Sequence, residues 1–432
     1  MNKKTSSILP VKGTRDFYPE DMAIHNWLYS KLRKVSASFG YQEYEGPILE
    51  SIDLYAAKSG EELVKEQSYV FPDRDGDLIT LRPELTPTLA RMVAKRQREL
   101  IYPLRWWSFG PFWRYERPQK GRSREFFQWN VDLIGVISPQ ADAEIVALIA
   151  SFFREVGLSP TNVRILVNNR KLMDGELGSI GIPPENRPTI YRLIDRRDKM
   201  QEAEWEAYAS ELGLGKRNID SLKSLLVNHE LWQKSDELIQ FFQAIDALGI
   251  QDYVRYEPGI IRGLDYYTGT VFEAVELEGE FRRSILGGGR YDNLLEDVGG
   301  DPLPATGFAM GDVIITLILD KHKLLPVEYD EMQSRVLVTI FDDSLLSASL
   351  AFSTELRMAG MNVICYPEAT KLSKQLKFAD RRKMRLVIIL GAEEINNGLI
   401  SIKDLQTGLQ HSIPRDEAIP AIQQMFASEK PI

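Results

Sequence analysis

A single cysteine, Cys365, stands among 432 residues. One thiol excludes an internal disulfide framework and any zinc site built from several cysteines, and Cys365 reads as a small core residue. Histidine is scarce as well. His25, His229, His322 and His411 are scattered without HExxH or other ligand spacing, which argues against a catalytic metal cage and a His-based triad. The longest apolar runs, such as 313–319, fall far short of a membrane span. Residues 1–10 carry Lys3 and Lys4 with no apolar stretch behind them, so neither a secretory signal nor an anchor is expected, and a soluble cytoplasmic protein follows. Excess positive charge is missing too: the formal net charge is −9. Affinity for nucleic acid would therefore have to come from local basic patches. Two stretches qualify, 114–124 and 371–385, although on charge alone each reads as a solvated face.

What is present suffices for a large core: 44% of the residues are hydrophobic, and the length suggests two or three domains. Residues 20–39 carry Trp27, Leu28, Leu32, Val35 and Phe39 at helical spacing before Gly40. Ser138-Pro139 followed by 141–156 and Gly157 has the cap, first-turn proline and glycine stop of a second helix. Between them the texture is strand-like at 41–49, 69–71, 78–81, 104–115 and 126–134. The last two, flanking the basic loop 117–123, predict an antiparallel hairpin. The expected architecture is α+β, a large antiparallel sheet with flanking helices, rather than a doubly wound parallel sheet. Residues 169–232 read as a helical insertion into a core made of 1–168 and 233–325. Sheet-like sequence resumes at 253–256, 269–277 and 282–286, and an apolar helix follows at 311–320. A linker is placed at 326–333. Beyond it, 334–432 alternates β-α-β-α-β, which predicts a small α/β domain with a largely parallel core.

The most informative stretch runs from Phe112 through Arg114, Glu116, Gln119, Arg122 and Arg124 to Phe126 and Gln128. Strand alternation puts Arg114 and Glu116 on one face, where a guanidinium can meet a phosphate bidentately while the carboxylate positions a base or cation. The basic loop can fold over a polyphosphate, and Phe126 offers a plane for an adenine ring. This string resembles motif 2 of class II aminoacyl-tRNA synthetases in its histidyl form. The resemblance implies ATP as substrate, with Arg114 on the α-phosphate, Arg122 on the distal phosphates, Phe126 stacked on adenine and Glu116 against its edge. It places Gln119 and Arg124 near the acceptor end of tRNA.

A second string, 261–273, with Arg262, Tyr266 and Tyr267, resembles the signature that sets histidyl enzymes apart within class II. A fixed cation opposite a pentacovalent α-phosphorus lowers the barrier electrostatically, by roughly 3 kcal/mol, and Arg262 is the candidate, with Arg114, for that catalytic role. Gly287-Gly288-Gly289-Arg290-Tyr291-Asp292 fits the same family as a glycine-rich turn lining the amino-acid pocket; it is not a P-loop. Free histidine needs acceptors for its ammonium and partners for both ring nitrogens, since a buried unpaired donor costs ~1–3 kcal/mol. By resemblance, Glu84, Thr86 and Gln128 serve the ammonium, and Asp132 accepts from the imidazole opposite Tyr267. Asp132 stands where many relatives have glutamate, a methylene longer.

Gly13-Thr14-Arg15-Asp16 resembles the family's N-terminal signature, and 40–50 with Pro47 resembles motif 1, the dimer-forming element, so a homodimer is implied. Motif 3 departs from the superfamily pattern of glycine followed by Glu-Arg: here Gly311 runs into Asp312-Val313-Ile314, and the arginine that grips the γ-phosphate is missing. Arg122 and the magnesium carried by ATP are the expected compensation, with no protein-held metal. The segment 334–432 resembles an anticodon-binding domain, where Lys374, Lys377, Arg381 and Arg382 on one helix suit backbone phosphates. The family implies ligation of L-histidine to tRNA(His) through histidyl-adenylate. The alternative is a non-charging paralogue that senses histidine as regulatory subunit of ATP phosphoribosyltransferase.

Overall fold

Tyr18 donates its backbone N–H to Asp21 Oδ2 (3.0 Å) and Pro19 opens the first turn, so the chain enters α1 (Pro19–Ser38) with an orphan donor satisfied and φ already set. The computed structural model describes residues 9–56, 66–119, 121–197, 200–261, 267–278, 284–293, 295–326 and 335–427. Two compact units result, Met1–Pro326 and Val327–Ile432. Among the described residues no helix is long and apolar enough to cross a membrane.

The first unit is built on eight strands: β1 (Gln42–Glu43), β5 (Leu104–Trp113), β6 (Glu125–Ile134), β7 (Val163–Asn169), β8 (Val254–Tyr256), β9 (Thr270–Glu276), β10 (Leu286–Tyr291) and β11 (Ala305–Gly311). Their spatial order is β1-β5-β6-β11-β10-β9-β7-β8. The six central strands are antiparallel, as the aromatic and β-branched runs predict, while both edge pairs, β1 with β5 and β7 with β8, are parallel. A smaller sheet, β2 (Leu49–Ser51), β3 (Tyr69–Pro72) and β4 (Leu78–Leu81), is ordered β2-β4-β3.

Strand alternation sorts the two faces of β6. Trp129, Val131 and Leu133 point into the main core beneath α1, α4 (Pro139–Glu155) and α10 (Asp312–Lys321). α4 is apolar on nearly every side because it is covered all round, burying Ile145, Leu148, Ile149, Phe152 and Phe153 at about 1.5–3 kcal/mol each. The opposite face meets a second cluster that includes Leu89, Ala90 and Val93 of α3 (Thr86–Arg96), after the short α2 (Ile52–Ala56). Helices α5 (Arg170–Ser179), α6 (Arg187–Asp195), α7 (Glu202–Glu211) and α8 (Lys216–Leu226) follow β7 before α9 (Asp236–Ala247) returns to α4.

Three expectations need correction. The strand placed at 41–49 is only β1 and β2, separated by irregular backbone. Arg114 and Glu116 lie past the end of β5, not on a strand. Gly287–Tyr291 is not a turn: it is most of β10, central in the sheet, with glycine forced by neighbours, since a Cβ on Gly288 would sit 2.2 Å from Gly307 O. Of the strand expected at 282–286 only Leu286 is in β10; Ser284 and Ile285 are not in a strand, and 282–283 lie outside the described residues.

The second unit has a five-stranded sheet ordered β13-β12-β14-β15-β16, from β12 (Val336–Val338), β13 (Val363–Cys365), β14 (Leu386–Ile389), β15 (Leu399–Asp404) and β16 (Gln410–Pro414). β12, β13 and β14 are parallel, linked through α11 (Leu346–Met358) and α12 (Leu372–Arg381); β15 and β16 add antiparallel strands, with α13 (Ala392–Asn396) and α14 (Arg415–Ala427). Cys365 packs, half-buried, against this unit's core.

Candidate active site

Arg82 organises the ground beneath the site. It is fully buried, ion-paired to Glu45, and donates from Nε to Pro111 O (2.9 Å) and from Nη1 to Gly46 O (3.1 Å), with its guanidinium 4.5 Å from the Phe112 ring centroid. A buried cation needs this complete a set of acceptors. Space for it exists only because residue 110 is glycine, where a Cβ would lie 2.3 Å from Arg82 Nη2. Arg82 thereby fixes the backbone that continues into Pro83 and Glu84. Sequence reading missed it, and a charged residue inside a strand-to-helix junction was the available signal.

At the open end of the β5–β6 hairpin, Arg114, Glu116, Gly121, Arg122, Ser123, Phe126, Gly311, Val313 and Ile314 line one cleft. Arg114 donates from Nε to Pro83 O (2.9 Å), and its guanidinium lies 5.5 Å over the Phe126 ring, leaving its Nη atoms to the cleft. Phe126 is backed by Phe112 in a stacked pair at 6.0 Å. Glu116 forms an ion pair with Arg122 Nε at 2.5 Å. Arg124 lies over the Tyr115 ring (4.0 Å) and donates to Glu116 O (3.1 Å), so it holds the loop's own shape, while exposed Gln119 bridges to Arg122. Val313 and Ile314 line the cleft from the first turn of α10, so this segment brings apolar side chains and no arginine to it.

Period-2 alternation carries the same face of β6 from Phe126 through Gln128 to Asp132, a span of about 20 Å. Asp132 is 6% exposed and accepts a hydrogen bond from Tyr291 Oη. Burial pushes its carboxyl up to about 7, with the Tyr291 hydroxyl opposing. Gly307 on β11 is required beside it, because a Cβ there would lie 2.3 Å from Asp132 Oδ1. Tyr267 and Tyr291 belong to one buried cluster with Leu89 and Val93 of α3. Glu84 is 7% exposed immediately before α3, and Thr86 is that helix's first residue, half-buried. The sequence places Tyr291 in a string expected to line the amino-acid pocket but gives it no role of its own; its hydroxyl meets Asp132, from a strand rather than a turn.

Arg262 and Tyr266 lie outside the described residues. The residues flanking them are firmly held. Asn168, 1% exposed, donates from Nδ2 to Pro258 O and Ile260 O (both 3.0 Å), and its Oδ1 accepts Asn169 N–H (2.8 Å). Arg170 grips both sides, donating its backbone N–H to Gly269 O (2.9 Å) and Nη2 to Ile261 O (3.4 Å) while its guanidinium lies 5.2 Å from the Tyr191 ring of α6. Among the described residues one group has metal-ligand spacing, Glu276, Glu278 and His322, but the Lys321 ammonium pairs with both carboxylates.

In the second unit, Lys374, Lys377 and Arg381 share one exposed side of α12, and Arg382 is exposed at its C-terminus. Buried Gln375 anchors the opposite side, donating to Ile340 O (2.6 Å) and Thr370 O (2.8 Å) and accepting from Ile340 N–H (3.0 Å).

Comparison with known proteins agrees with both units. A family model described as histidyl-tRNA synthetase matches residues 13–312, and one described as an anticodon binding domain matches 333–425. The chain is 35% identical over 424 residues to the histidine–tRNA ligase of Leptospira biflexa, covering 96% of this chain and 97% of that protein. It is 36% identical over 420 residues to the chloroplastic/mitochondrial histidine–tRNA ligase of Arabidopsis thaliana, covering 95% and 86%. Among solved structures, histidyl-tRNA synthetase from Nostoc sp. PCC 7120 superposes with a TM-score of 0.79 at 26% identity, covering 98% of this chain and all of that one. With a family match over most of its length and full-length relatives about 35% identical, the chain belongs to the histidyl-tRNA synthetase family.

Proposed function

We propose that the protein ligates L-histidine to tRNA(His) in two steps through histidyl-adenylate, using ATP. The observation that carries this reading is the single face of β6, which runs from the Phe126 cleft past Gln128 to Asp132. In this reading adenine stacks on Phe126 with Glu116 at its edge, Arg114 meets the α-phosphate, and Arg122 leaves Glu116 for the distal phosphates. Histidine's ammonium lies against Glu84, Thr86 and Gln128, and its imidazole lies between Asp132 and Tyr267, with Tyr266 nearby. The carboxylate of histidine attacks the α-phosphorus in line; pyrophosphate leaves, and Arg114 and Arg262 stabilise the charge that develops. The terminal ribose hydroxyl of the tRNA then takes the histidyl group. No side-chain nucleophile is required.

The cleft offers phosphate oxygens two arginines and one carboxylate, Glu116, already committed to Arg122. That donor set suits a magnesium ion that arrives on the nucleotide, where it neutralises phosphate charge, better than a resident metal. Lys374, Lys377, Arg381 and Arg382 are assigned to anticodon-arm phosphates, and Gln119 and Arg124 to the acceptor end. The dimer reading draws support from exposed apolar side chains at the three-stranded sheet, Ile48, Leu49, Val70, Phe71 and Leu78, a patch suited to a second copy. In this reading the protein works in the cytoplasm, with its tRNA.

Ile314 in the cleft wall favours the second reading, a histidine-sensing paralogue of the ATP phosphoribosyltransferase regulatory type. Histidine-dependent exchange of labelled pyrophosphate into ATP separates the two. Exchange that requires histidine and collapses in Arg262→Ala establishes adenylate formation; histidine binding without exchange moves the assignment to the sensor. Charge reversal at Lys374, Lys377 and Arg381 should weaken tRNA binding, and unchanged binding would remove the role given to α12.

A further inference from the structure

We propose that Asp312, together with Arg15, is a positioning residue for the nucleotide: it locks the outer end of β6 so that Phe126 presents its ring to the cleft. β11 ends at Gly311, whose partner across the ladder is Gln128. The next donor along β6, the Phe127 N–H, is taken not by a strand but by Asp312 Oδ1 (2.9 Å). The other carboxylate oxygen, Oδ2, accepts from Arg15 Nη2 (2.8 Å), and Asp312 is only 5% exposed. Hydrogen bonds to ionised groups are roughly twice as strong as neutral ones, so a carboxylate is a firm end for a ladder.

The N-terminal segment completes the hold. Gly13 O accepts from Arg124 N–H (2.8 Å) and Glu125 N–H (3.1 Å), and Arg15 N–H donates to Glu125 Oε2 (3.4 Å). Arg15 lies 4.9 Å over Phe17, whose ring meets Phe127 edge-on. Gly13 has φ +89°, and a Cβ there would lie 2.8 Å from Arg124 Cγ, so this close approach requires glycine. Residues 124, 125 and 127 are thus held from one side by residues 13–15 and 312, where β11 does not reach. Phe126 lies between them and faces the other way.

This places the unusual motif 3 in a physical setting. Val313 and Ile314 give the cleft no charge, so nucleotide binding leans on Phe126, Arg114 and Arg122. The one charge this motif retains, on Asp312, is spent on holding the strand that carries Phe126. Gln128 lies inside the ladder, paired on both sides with Gly110 and Gly311. Loss of the clamp should therefore loosen the adenine end and spare the amino-acid end.

The inference rests on the adenylate-forming reading, and its test keeps the two apart. In histidine-dependent pyrophosphate exchange, Asp312→Ala and Arg15→Ala should each raise KM for ATP about tenfold. KM for histidine should stay within about twofold. Arg15→Lys should recover most of the loss, and the double variant should be no worse than Asp312→Ala alone. Calorimetric titration of ATP on the full chain should show the same order. A wild type that binds ATP but does not exchange refutes the catalytic reading, while the ATP titrations still decide the clamp. Equal rises in both KM values, or ATP affinity unmoved in Arg15→Ala, whose side chain is partly exposed and least apt to unfold the protein, would overturn it.

Discussion

Tyr291→Phe removes the one hydroxyl that meets Asp132, in the pocket proposed for the amino acid, and its consequence can be worked from the structure. The hydroxyl donates to Asp132, a carboxyl that is 6% exposed and that burial lifts to about 7. The same hydrogen bond stabilises the ionised form and so holds the value down. A hydrogen bond to a charged group contributes about 1.5–3 kcal/mol, and a pKa unit corresponds to about 1.4 kcal/mol, so its loss should raise Asp132 by about one to two units. At pH 7.5 a one-unit rise takes the ionised fraction from about three-quarters to about one-quarter. If the ionised carboxylate is what accepts from the imidazole, histidine affinity at that pH falls about threefold. The sign for folding is the opposite of a salt-bridged aspartate. Asp132 has its folded value raised above its unfolded value, so its contribution to stability falls as pH rises from about 4 to about 7 and is constant outside that window. Calorimetric titration of histidine from pH 6 to 9 on both proteins is the assay. A variant whose acid limb moves to higher pH supports the reasoning. An unshifted limb, with affinity lost equally at every pH, would refute it.

Gly307→Ala should destabilise the first unit by about 1–3 kcal/mol, because its Cβ would lie 2.3 Å from Asp132 Oδ1 and 2.5 Å from Val131 O; chemical denaturation reads this directly. His25 packs half-buried among the rings of Phe17, Phe109 and Phe127, and burial lowers its pKa. Its folded value lies below the unfolded value, so stability is full above about pH 6.5 and is lost as pH falls through the folded value. His25→Leu should flatten that acid-side loss in melts taken between pH 5 and 7. Asn168→Ala leaves the Pro258 and Ile260 carbonyls without their donor, and should cost about 1–3 kcal/mol of stability. In exchange assays the same variant should lower kcat more than Arg170→Lys does, and a variant with wild-type kcat would sever Asn168 from the segment that carries Arg262.

Particular elements show what could be read in advance. Helix α1 was legible from its spaced apolar residues and α4 from its cap and glycine stop, because both signals act within a few turns of chain. The β5–β6 hairpin was legible for the same reason. Arg114, Glu116, Arg122 and Phe126 were nominated together from one short string, and they do line one cleft. Less legible was Gly287–Tyr291, whose glycines suggest a turn locally but are dictated by β9 and β11 on either side. The contact of Tyr291 with Asp132 was hidden with it. Arg82 stands out in sequence only as a charge in a strand-to-helix junction, since nothing local says that Glu45, Gly46 and Pro111 will converge on it.

Much local order, then, was written in the chain: where α1, α4 and the β5–β6 hairpin lie, where the basic loop lies, and that motif 3 has no arginine. Tertiary structure alone decided which partners meet across the sheet. Asp132 finds Tyr291 159 residues away, Arg170 reaches Ile261 across 91, and Asp312 closes on Arg15 across 297. Such pairings depend on strand order and register, which arise from burial of whole faces at once and leave no periodic trace in either partner's neighbourhood.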